Sequence, residues 1–368
     1  VPSYNGYDTH LHANTYFHVE GNHNAAATVI AENLAAAGAE FFYNMPCKQL
    51  ATDESGAVTG AICEDADGAH HLFTATKGVI LATGGFSSNV EMRETQVPYL
   101  TEELPTTNIK AASTGEGIYL AQAIGANTTQ MSNIQRYPWA DPNTGVLDKY
   151  AVWPFTGPSY GVIYVDYNGN RYVNEGDRRD VCANAAVNTG FVSTYAIFTE
   201  PVVAGYVRPE EIEAGIADGR ILKADTLDEL AEKINGFEVK GMFPTVTGDN
   251  LKATIEKHNG YIDNGEDLDF HKVMASTMVK IEEGPYYALP QFPSVHHTMG
   301  GLVIDTMTRV LDIYGQPIEG LYAAGEVTGG VHGTNRLGSN ADADACGFGY
   351  ISGIVVATGE LPDFIPAE

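Results

Sequence analysis

Several common patterns are missing from this chain of 368 residues, and each absence excludes a class of protein. No apolar run approaches the ~20 residues that a membrane-spanning helix needs, so we expect no insertion in a bilayer. The cysteines Cys47, Cys63, Cys182 and Cys346 form neither a CxxC pair nor a CxxCH run. We therefore expect no zinc ribbon, iron–sulfur cluster, covalent haem or other metal site.

Basic residues are also scarce. The chain has 20 Lys and Arg against 47 Asp and Glu, which gives a formal net charge of -27. Such an acidic surface repels nucleic acid and anionic membranes, so we expect neither as a partner. An anionic substrate would have to be held by a local cluster of Arg and His.

The dinucleotide fingerprint GxGxxG is absent as well, and with it the usual backbone cradle for a pyrophosphate. One predicted strand nevertheless ends as strands do where α/β proteins bind a cofactor. Residues 78–83 are largely apolar, as in a strand buried on both faces, and they lead into Gly84 and Gly85. Glycines at the carboxyl end of such a strand let the backbone approach a ligand, although a tight turn explains them equally well.

Two segments stand out for what they contain, residues 295–301 and 325–340. Eleven of their 23 residues are Gly, His or Arg, which bring backbone close to a flat ligand and hold anions. His296 and His297 are neighbours on a predicted strand, so only one of them can face a given pocket. Arg336 precedes a predicted helix, where it could clamp a carboxylate. A buried core histidine and a surface arginine are the alternatives.

The rest of the sequence predicts helices and hairpins, and its residue composition changes near residue 140. We expect hairpin turns at 53–56 and 65–68, and acidic amphipathic helices in a separate α+β lobe. The other predicted elements are helices over 24–37, 113–126 (with Ser113 or Thr114 as cap) and 339–356, lobe helices over 208–218, 225–235 and 248–261, and strands over 295–304 and 320–325.

Several motifs together carry a family resemblance that covers nearly the whole chain. They are ILATGGF (80–86), TGEG (114–117), IQRYP (134–138), RYVNEGDRRD (171–180), HHTMGG (296–301) and AAGEVTGGVHGTNRLGSNA (323–341). The chain resembles the flavoprotein family of soluble fumarate reductase, succinate dehydrogenase flavoprotein subunits, urocanate reductase and related 2-enoate reductases.

The resemblance implies an α/β fold, a Rossmann-like flavin-binding domain interrupted by an α+β capping domain. The family's fingerprint lies upstream of the position that Val1 matches, so we expect the first unit of the flavin domain to be missing here. The implied boundaries are 1–139 for the first part of the flavin domain, 140–284 for the capping domain and 285–368 for the rest of the flavin domain.

The implied cofactor is FAD. Residues matched to flavin contacts are Thr83, Gly84, Glu116, His297, Glu326, Ala341 and Asp342. Asp342 stands where the family usually has an apolar residue. The alternative to a working enzyme is an apo fragment without activity, because the pyrophosphate loop is absent.

The implied reaction is reduction of an α,β-unsaturated carboxylate. His296 and Arg336 would grip the substrate carboxylate, and Arg179 would donate the proton. Tyr137 replaces a histidine that holds the second carboxylate in fumarate reducers, which favours a monocarboxylate 2-enoate with a flat tail. Trp153, Phe155 and Tyr160 would line that distal pocket.

Two other activities stay open from the sequence. One is fumarate reduction proper. The other is a ketosteroid-type dehydrogenase, although such enzymes depend on tyrosines in place of a clamp by Arg336 and His296. The resemblance further implies an external electron donor, a haem or flavin protein, a role in anaerobic respiration and an extracytoplasmic location.

Overall fold

The computed structural model describes residues 25–108, 112–150, 152–190, 193–237 and 244–363. The chain divides into two compact units. Unit 1 consists of Val1–Gly85, Gly115–Met131 and Met299–Glu368, and unit 2 of Phe86–Thr114 and Ser132–Thr298.

The described parts of the chain contain both helices and strands. The helices are α1 (Ala25–Ala36), α2 (Val90–Gln96), α3 (Glu116–Gln122), α4 (Val152–Thr156), α5 (Arg179–Asn188), α6 (Glu200–Val203), α7 (Pro209–Ala217), α8 (Leu227–Asn235), α9 (Gly248–Asn264) and α10 (Asn340–Thr358). The strands are β1 (Cys47–Thr52), β2 (Val58–Glu64), β3 (His70–Thr74), β4 (Val79–Leu81), β5 (Thr128–Thr129), β6 (Ile134–Ala140), β7 (Ile163–Val165), β8 (Thr194–Thr199), β9 (Leu222–Ala224), β10 (Tyr286–Thr298), β11 (Gly301–Leu302), β12 (Arg309–Leu311) and β13 (Pro317–Ala323).

The described residues of unit 1 form three small sheets. β1, β2 and β3 form an antiparallel meander whose turns fall where the sequence predicts them. In the first turn the Asp53 carboxylate accepts hydrogen bonds from the backbone N–H groups of Ser55 and Ala57, a favoured Asx turn. A second sheet has the order β12-β13-β4, with β13 parallel to β4, and β11 pairs with β5.

Unit 2 is built on a five-stranded antiparallel sheet. Its order is β6-β10-β8-β7, with β9 also paired to β10. The long strand β10 is almost entirely buried, and α5 and α8 pack against it. Apolar side chains from these strands and from α5, α7, α8 and α9 form one continuous core. The three predicted lobe helices are confirmed as α7, α8 and α9.

Predicted helix 113–126 and predicted strands 295–304 and 320–325 have different bounds in the structure, where the first strand is divided into β10 and β11 and the second is β13. Helix α3 begins at Glu116, because Gly115 (φ 75) and Ser113 (φ 53) both have left-handed backbone, and no side chain caps it. The predicted cap at Ser113 or Thr114 is therefore wrong. Strand β10 begins at Tyr286, nine residues earlier than predicted. Pro290 and Pro293 hid this strand, since proline usually marks a strand edge or its end.

The compact units do not coincide with the boundaries expected from the family. Residues 286–298, assigned above to the flavin domain, lie in the sheet of unit 2, as do residues 134–139. The three-part domain division stays a prediction. Within the described ranges, no helix has the length and apolar character needed to cross a bilayer.

Candidate functional site

In unit 2 the ring of Tyr137 lies between two side chains predicted to be catalytic. Its centroid is 4.9 Å from that of His296, with the rings tilted by 51°. The guanidinium carbon of Arg179 lies 5.2 Å from the same ring centroid, within the range of a cation–π contact. The structure thus brings together three of the four predicted catalytic residues.

Secondary structure fixes each member of this group. Tyr137 belongs to β6, which pairs with β10, the strand that carries His296. Arg179 is the first residue of α5, and α5 packs against both strands. A helix that starts over a two-stranded seam places its first side chain near residues of both strands.

The acidic and basic run around Arg179 separates into two environments. The neighbouring Arg178 has a side chain 61% exposed and an ion pair with Asp180 at 2.9 Å, as a solvated charge does. Arg179 contacts the buried ring of Tyr137 instead. Adjacent arginines with such different surroundings provide a matched pair for mutagenesis.

A short segment that the sequence analysis missed holds His296. The Thr107 hydroxyl lies 2.6 Å from Nδ1 of His296, and the Asn108 side-chain amide donates to the His296 carbonyl at 3.0 Å. His297, which follows His296 on strand β10, is only 4% exposed and belongs to unit 2. The role of His297 at the flavin stays a prediction.

Aromatic rings extend the group away from His296. Trp139, two residues after Tyr137, makes an edge contact with it at 5.1 Å and reaches Tyr164 at 6.3 Å. The alternation of a strand would have placed residues 137 and 139 on one face. Of the aromatics expected to line a distal pocket, Trp153 packs on Tyr150 and Phe198, Tyr160 packs on Tyr206, and the side chain of Phe155 lies outside those described.

Behind α5, a buried network of charges stabilises the loop that leads into it. Glu175, with no exposed side-chain surface, pairs with Arg171 at 2.7 Å and with Lys272 at 3.2 Å. Arg171 also pairs with Asp267 at 2.8 Å. Burial raises the pKa of Glu175, but Lys272 and Arg171 outweigh burial and bring it down to about 2. The carboxylate is therefore ionised at neutral pH.

In unit 1, residues predicted to contact flavin gather at one edge of a parallel strand pair. Thr83 and Gly84 follow β4, and Glu326 follows β13, which runs parallel to β4. The Ala324 N–H donates to the Leu81 carbonyl at 3.0 Å and extends this pairing. The carboxyl edge of parallel strands is where α/β proteins bind cofactors.

Helix α3 packs directly on the loop after β4. A Cβ on Gly117 would lie 2.0 Å from the Thr83 hydroxyl, so only glycine lets the helix approach so closely. This contact places the exposed Glu116, in the first turn of α3, next to the same loop. Gly84 has φ 73, which keeps this loop in a conformation that other residues rarely adopt.

Helix α10 begins in a glycine-rich loop. Its N-cap, Ser339 (φ 62), makes no side-chain capping bond, and Ala341 and Asp342 occupy the first turn. The N–H groups of Asn340 and Asp342 donate to the carbonyls of Leu337 and Ser339 at 3.3 and 3.1 Å. The positive end of the helix dipole still favours an electron-rich partner at this position. Asp342 is exposed there, where a carboxylate interacts favourably with the helix dipole.

Two further buried polar groups accompany this loop. Arg336 is 5% exposed and donates to the Leu337 carbonyl at 3.0 Å. His332, which the sequence analysis did not select, lies 3.1 Å from the Asp344 carboxylate, whose second oxygen is buried and has no partner among the described residues. The role of Arg336 as a carboxylate ligand stays a prediction.

A family model described as "FAD binding domain" matches residues 8–341. The chain belongs to this family.

Two relatives and one solved structure illustrate its neighbours in the FAD binding domain family. An NADH:acrylate oxidoreductase of Vibrio harveyi is 40% identical over 308 residues, which are 82% of this chain and 29% of the relative. The urocanate reductase of Eggerthella lenta is 38% identical over 315 residues, 84% of this chain and 49% of that one. The open conformation of a flavocytochrome c3 fumarate reductase matches with a TM-score of 0.73 and 30% identity over 90% of this chain and 54% of that chain.

This FAD binding domain spans about half the length of these relatives, or less. The resemblance expected from the sequence and the α/β flavoprotein fold are both confirmed. FAD as the cofactor is supported by the family, and the residues of unit 1 fit it. Gly84 with its left-handed backbone and the close approach of Gly117 to Thr83 leave backbone accessible at the carboxyl end of β4, and α10 begins in a glycine-rich loop of the same unit.

Proposed function

We propose that the protein is an FAD-dependent reductase of α,β-unsaturated carboxylates. One observation carries the proposal: His296 and Arg179 lie on the ring of Tyr137 in unit 2, so an anion-binding side chain and a cationic proton donor share one site. The names of relatives, an acrylate oxidoreductase and a urocanate reductase, support the same class of reaction.

The residues of unit 2 divide the chemistry between them. Reduced FAD, when bound, supplies the hydride equivalent that adds to the β-carbon. His296 donates a hydrogen bond to the substrate carboxylate and stabilises the negative charge that develops on reduction. The guanidinium of Arg179 gives a proton to the α-carbon, which completes the saturated acid, and then takes one back from solvent.

The aromatic residues favour a substrate with one carboxylate and a flat tail. Tyr137, Trp139 and Tyr164 form a continuous series of ring contacts, and Tyr137 and Trp139 are at most 6% exposed. A second carboxylate beside Trp139 and Tyr164 would lose its hydration to rings that carry no charge. A planar apolar or heteroaromatic tail would stack there.

We further propose that electrons come from outside this chain, from a haem or flavin protein. The relative described as a flavocytochrome combines both cofactor types in its name. Artificial one-electron donors should then replace the natural donor in an assay.

A substrate panel tests the proposed function. Purified protein with bound FAD, reduced chemically under anaerobic conditions, is mixed with acrylate, cinnamate, urocanate or fumarate, and the products are identified by mass. We expect reduction of the monocarboxylates, with kcat/KM for fumarate at least ~10-fold lower, equivalent to about 1.4 kcal/mol. A preference for fumarate would contradict the argument from Tyr137, and no reduction of any acid would contradict the reaction class.

A further inference from the structure

We infer that Thr107 is a positioning residue for His296. Its hydroxyl donates to Nδ1 and keeps the imidazole in the neutral tautomer that carries its proton on Nε2. The functional consequence rests on the proposed function, whereas the tautomer itself is a property of unit 2 alone.

The direction of this hydrogen bond follows from the surroundings of the hydroxyl. Oγ1 of Thr107 lies 2.6 Å from Nδ1 of His296, and the residue is 6% exposed. In the described part of the chain the hydroxyl has no other partner. If it accepted a proton from Nδ1, its own O–H would be buried without an acceptor, which costs free energy. If it donates to Nδ1, both groups are satisfied.

The backbone around the ring is tied to the same segment. The Thr107 N–H donates to the Val295 carbonyl, and the Val295 N–H donates to the Pro105 carbonyl, each at 2.8 Å. The Asn108 side-chain amide bonds the His296 carbonyl at 3.0 Å. The ring and the backbone around it are therefore held by Pro105, Thr107 and Asn108, and the ring of Tyr137 lies against the imidazole at 4.9 Å between centroids.

The tautomer decides what His296 offers a ligand. With Nδ1 occupied by a donated hydrogen bond, Nε2 carries the only ring proton and can donate to a carboxylate without the ring becoming charged. The opposite tautomer would present a lone pair at Nε2, which repels a carboxylate. A hydroxyl at position 107 is thus needed for anion recognition at neutral pH, although it touches no substrate.

The test reads the tautomer directly. Protein labelled with ¹⁵N-histidine gives ring-nitrogen chemical shifts by NMR, and loss of one set of signals in His296→Gln assigns the residue. We expect the wild type to show the Nε2–H form. Thr107→Val should give a mixture or the Nδ1–H form, and Thr107→Ser should restore the wild-type shifts.

A neighbouring threonine provides the control. Thr106 is 8% exposed, and its hydroxyl donates to Ser87 at 3.1 Å and accepts from the Asn108 N–H at 3.2 Å, so Thr106→Val removes a buried hydroxyl of the same segment that has no hydrogen bond to the ring. It should leave the His296 signals unchanged. An Nδ1–H form in the wild type, or an unchanged tautomer in Thr107→Val, would overturn the inference.

Kinetics then separate this inference from the proposed function. With an accepted enoate, Thr107→Val should lower kcat/KM by ~10-fold, the effect of one ordinary hydrogen bond, with KM raised and kcat lowered, because His296 both binds the carboxylate and stabilises the charge that develops on it. Thr107→Ser should recover the wild-type KM. If no enoate is reduced while the tautomer behaves as expected, the proposed function fails and the role of Thr107 at His296 stands.

Discussion

In unit 2 the ring of Tyr137 contacts two of the other predicted catalytic residues. Its ring contacts both His296 and the guanidinium of Arg179, and it is 6% exposed. A flat ring in this place sets the spacing between His296, the proposed carboxylate ligand, and Arg179, the proposed proton donor.

Replacing Tyr137 should separate the role of its ring from that of its hydroxyl. Tyr137→Phe keeps both ring contacts, so we expect turnover of a monocarboxylate enoate within ~3-fold of wild type. Tyr137→Leu removes the surface on which Arg179 rests, and a small misplacement of a catalytic group can cost ~100-fold in kcat. Steady-state kinetics with FAD content measured in each variant checks this. Equal losses in both variants would assign the role to the hydroxyl.

At the same scale, the sequence identified only the residues that belong to motifs. Tyr137, Arg179 and His296 lie in IQRYP, RYVNEGDRRD and HHTMGG, and the family resemblance assigned them before the structure brought them together. Thr107 was not predicted to belong to the site, because its partner His296 is 189 residues away in the chain. A threonine in an irregular stretch carries no periodic signal, so only folding reveals such a contact.

Among the elements, β13 connects the meander of unit 1 to the edge where the flavin residues gather. Gly320 within it has φ 75, and a Cβ there would lie 2.3 Å from the Val58 carbonyl oxygen of β2. Gly315, in the turn before β13, has φ 76 and open space around it. The two glycines share a backbone conformation and differ only in what surrounds them.

Replacing Gly315 and Gly320 by alanine should therefore lower the free energy of unfolding by different amounts. Gly315→Ala introduces left-handed strain alone, about 1–2 kcal/mol of unfolding free energy. Gly320→Ala adds a collision with backbone, which should cost about 1–3 kcal/mol more. Thermal or denaturant unfolding of both variants measures the difference. Equal losses would show that β13 has room to move away from β2.

The elements themselves were largely predictable. The hairpin turns and α7, α8, α9 and α10 follow from turn residues and helical periodicity, which are local. The start of β10 was not predictable, because Pro290 and Pro293 interrupt the strand pattern of the sequence. In the structure the strand is nevertheless paired on both sides, to β6 and to β8 and β9. Pairing with distant strands overrides a local breaker, and the sequence alone does not show it.

Considered as a whole, the molecule is strongly acidic, yet a balanced set of charges is buried inside unit 2. His258 belongs to this set, is fully buried, and neither ring nitrogen has a partner among the described residues. Burial lowers its pKa to about 3, and the positive charge of Lys272 adds to the effect. Folding therefore requires this ring to be neutral.

This burial predicts how the protein responds to acid. Below pH ~6.5 the unfolded chain binds a proton at His258 that the folded chain refuses until about pH 3, so stability falls across this window. Glu175 adds a second loss, because its stabilising charge is fully present above its ordinary value of 4.5 and disappears as pH falls through about 2. Each unit of pKa difference is worth ~1.4 kcal/mol.

His258→Leu isolates the contribution of His258 to the loss of stability in acid. The variant should lose less stability than wild type between pH 6.5 and 4, because an apolar side chain of similar volume has no proton to gain. Urea unfolding at a series of pH values measures it, and Glu256→Gln, on the exposed face of α9, serves as the control. Parallel pH profiles for wild type and His258→Leu would rule out His258 as the source of acid sensitivity.

The central claim, flavin-dependent reduction of an enoate with Arg179 as the acid, is tested most directly by a single turnover. Protein containing reduced FAD is mixed anaerobically with a monocarboxylate enoate, and reoxidation of the flavin is followed by its visible absorbance. The account predicts rapid reoxidation in wild type and in Arg178→Ala, and a rate lower by at least ~100-fold in Arg179→Ala with FAD still bound. Reoxidation of Arg179→Ala at the wild-type rate would contradict it.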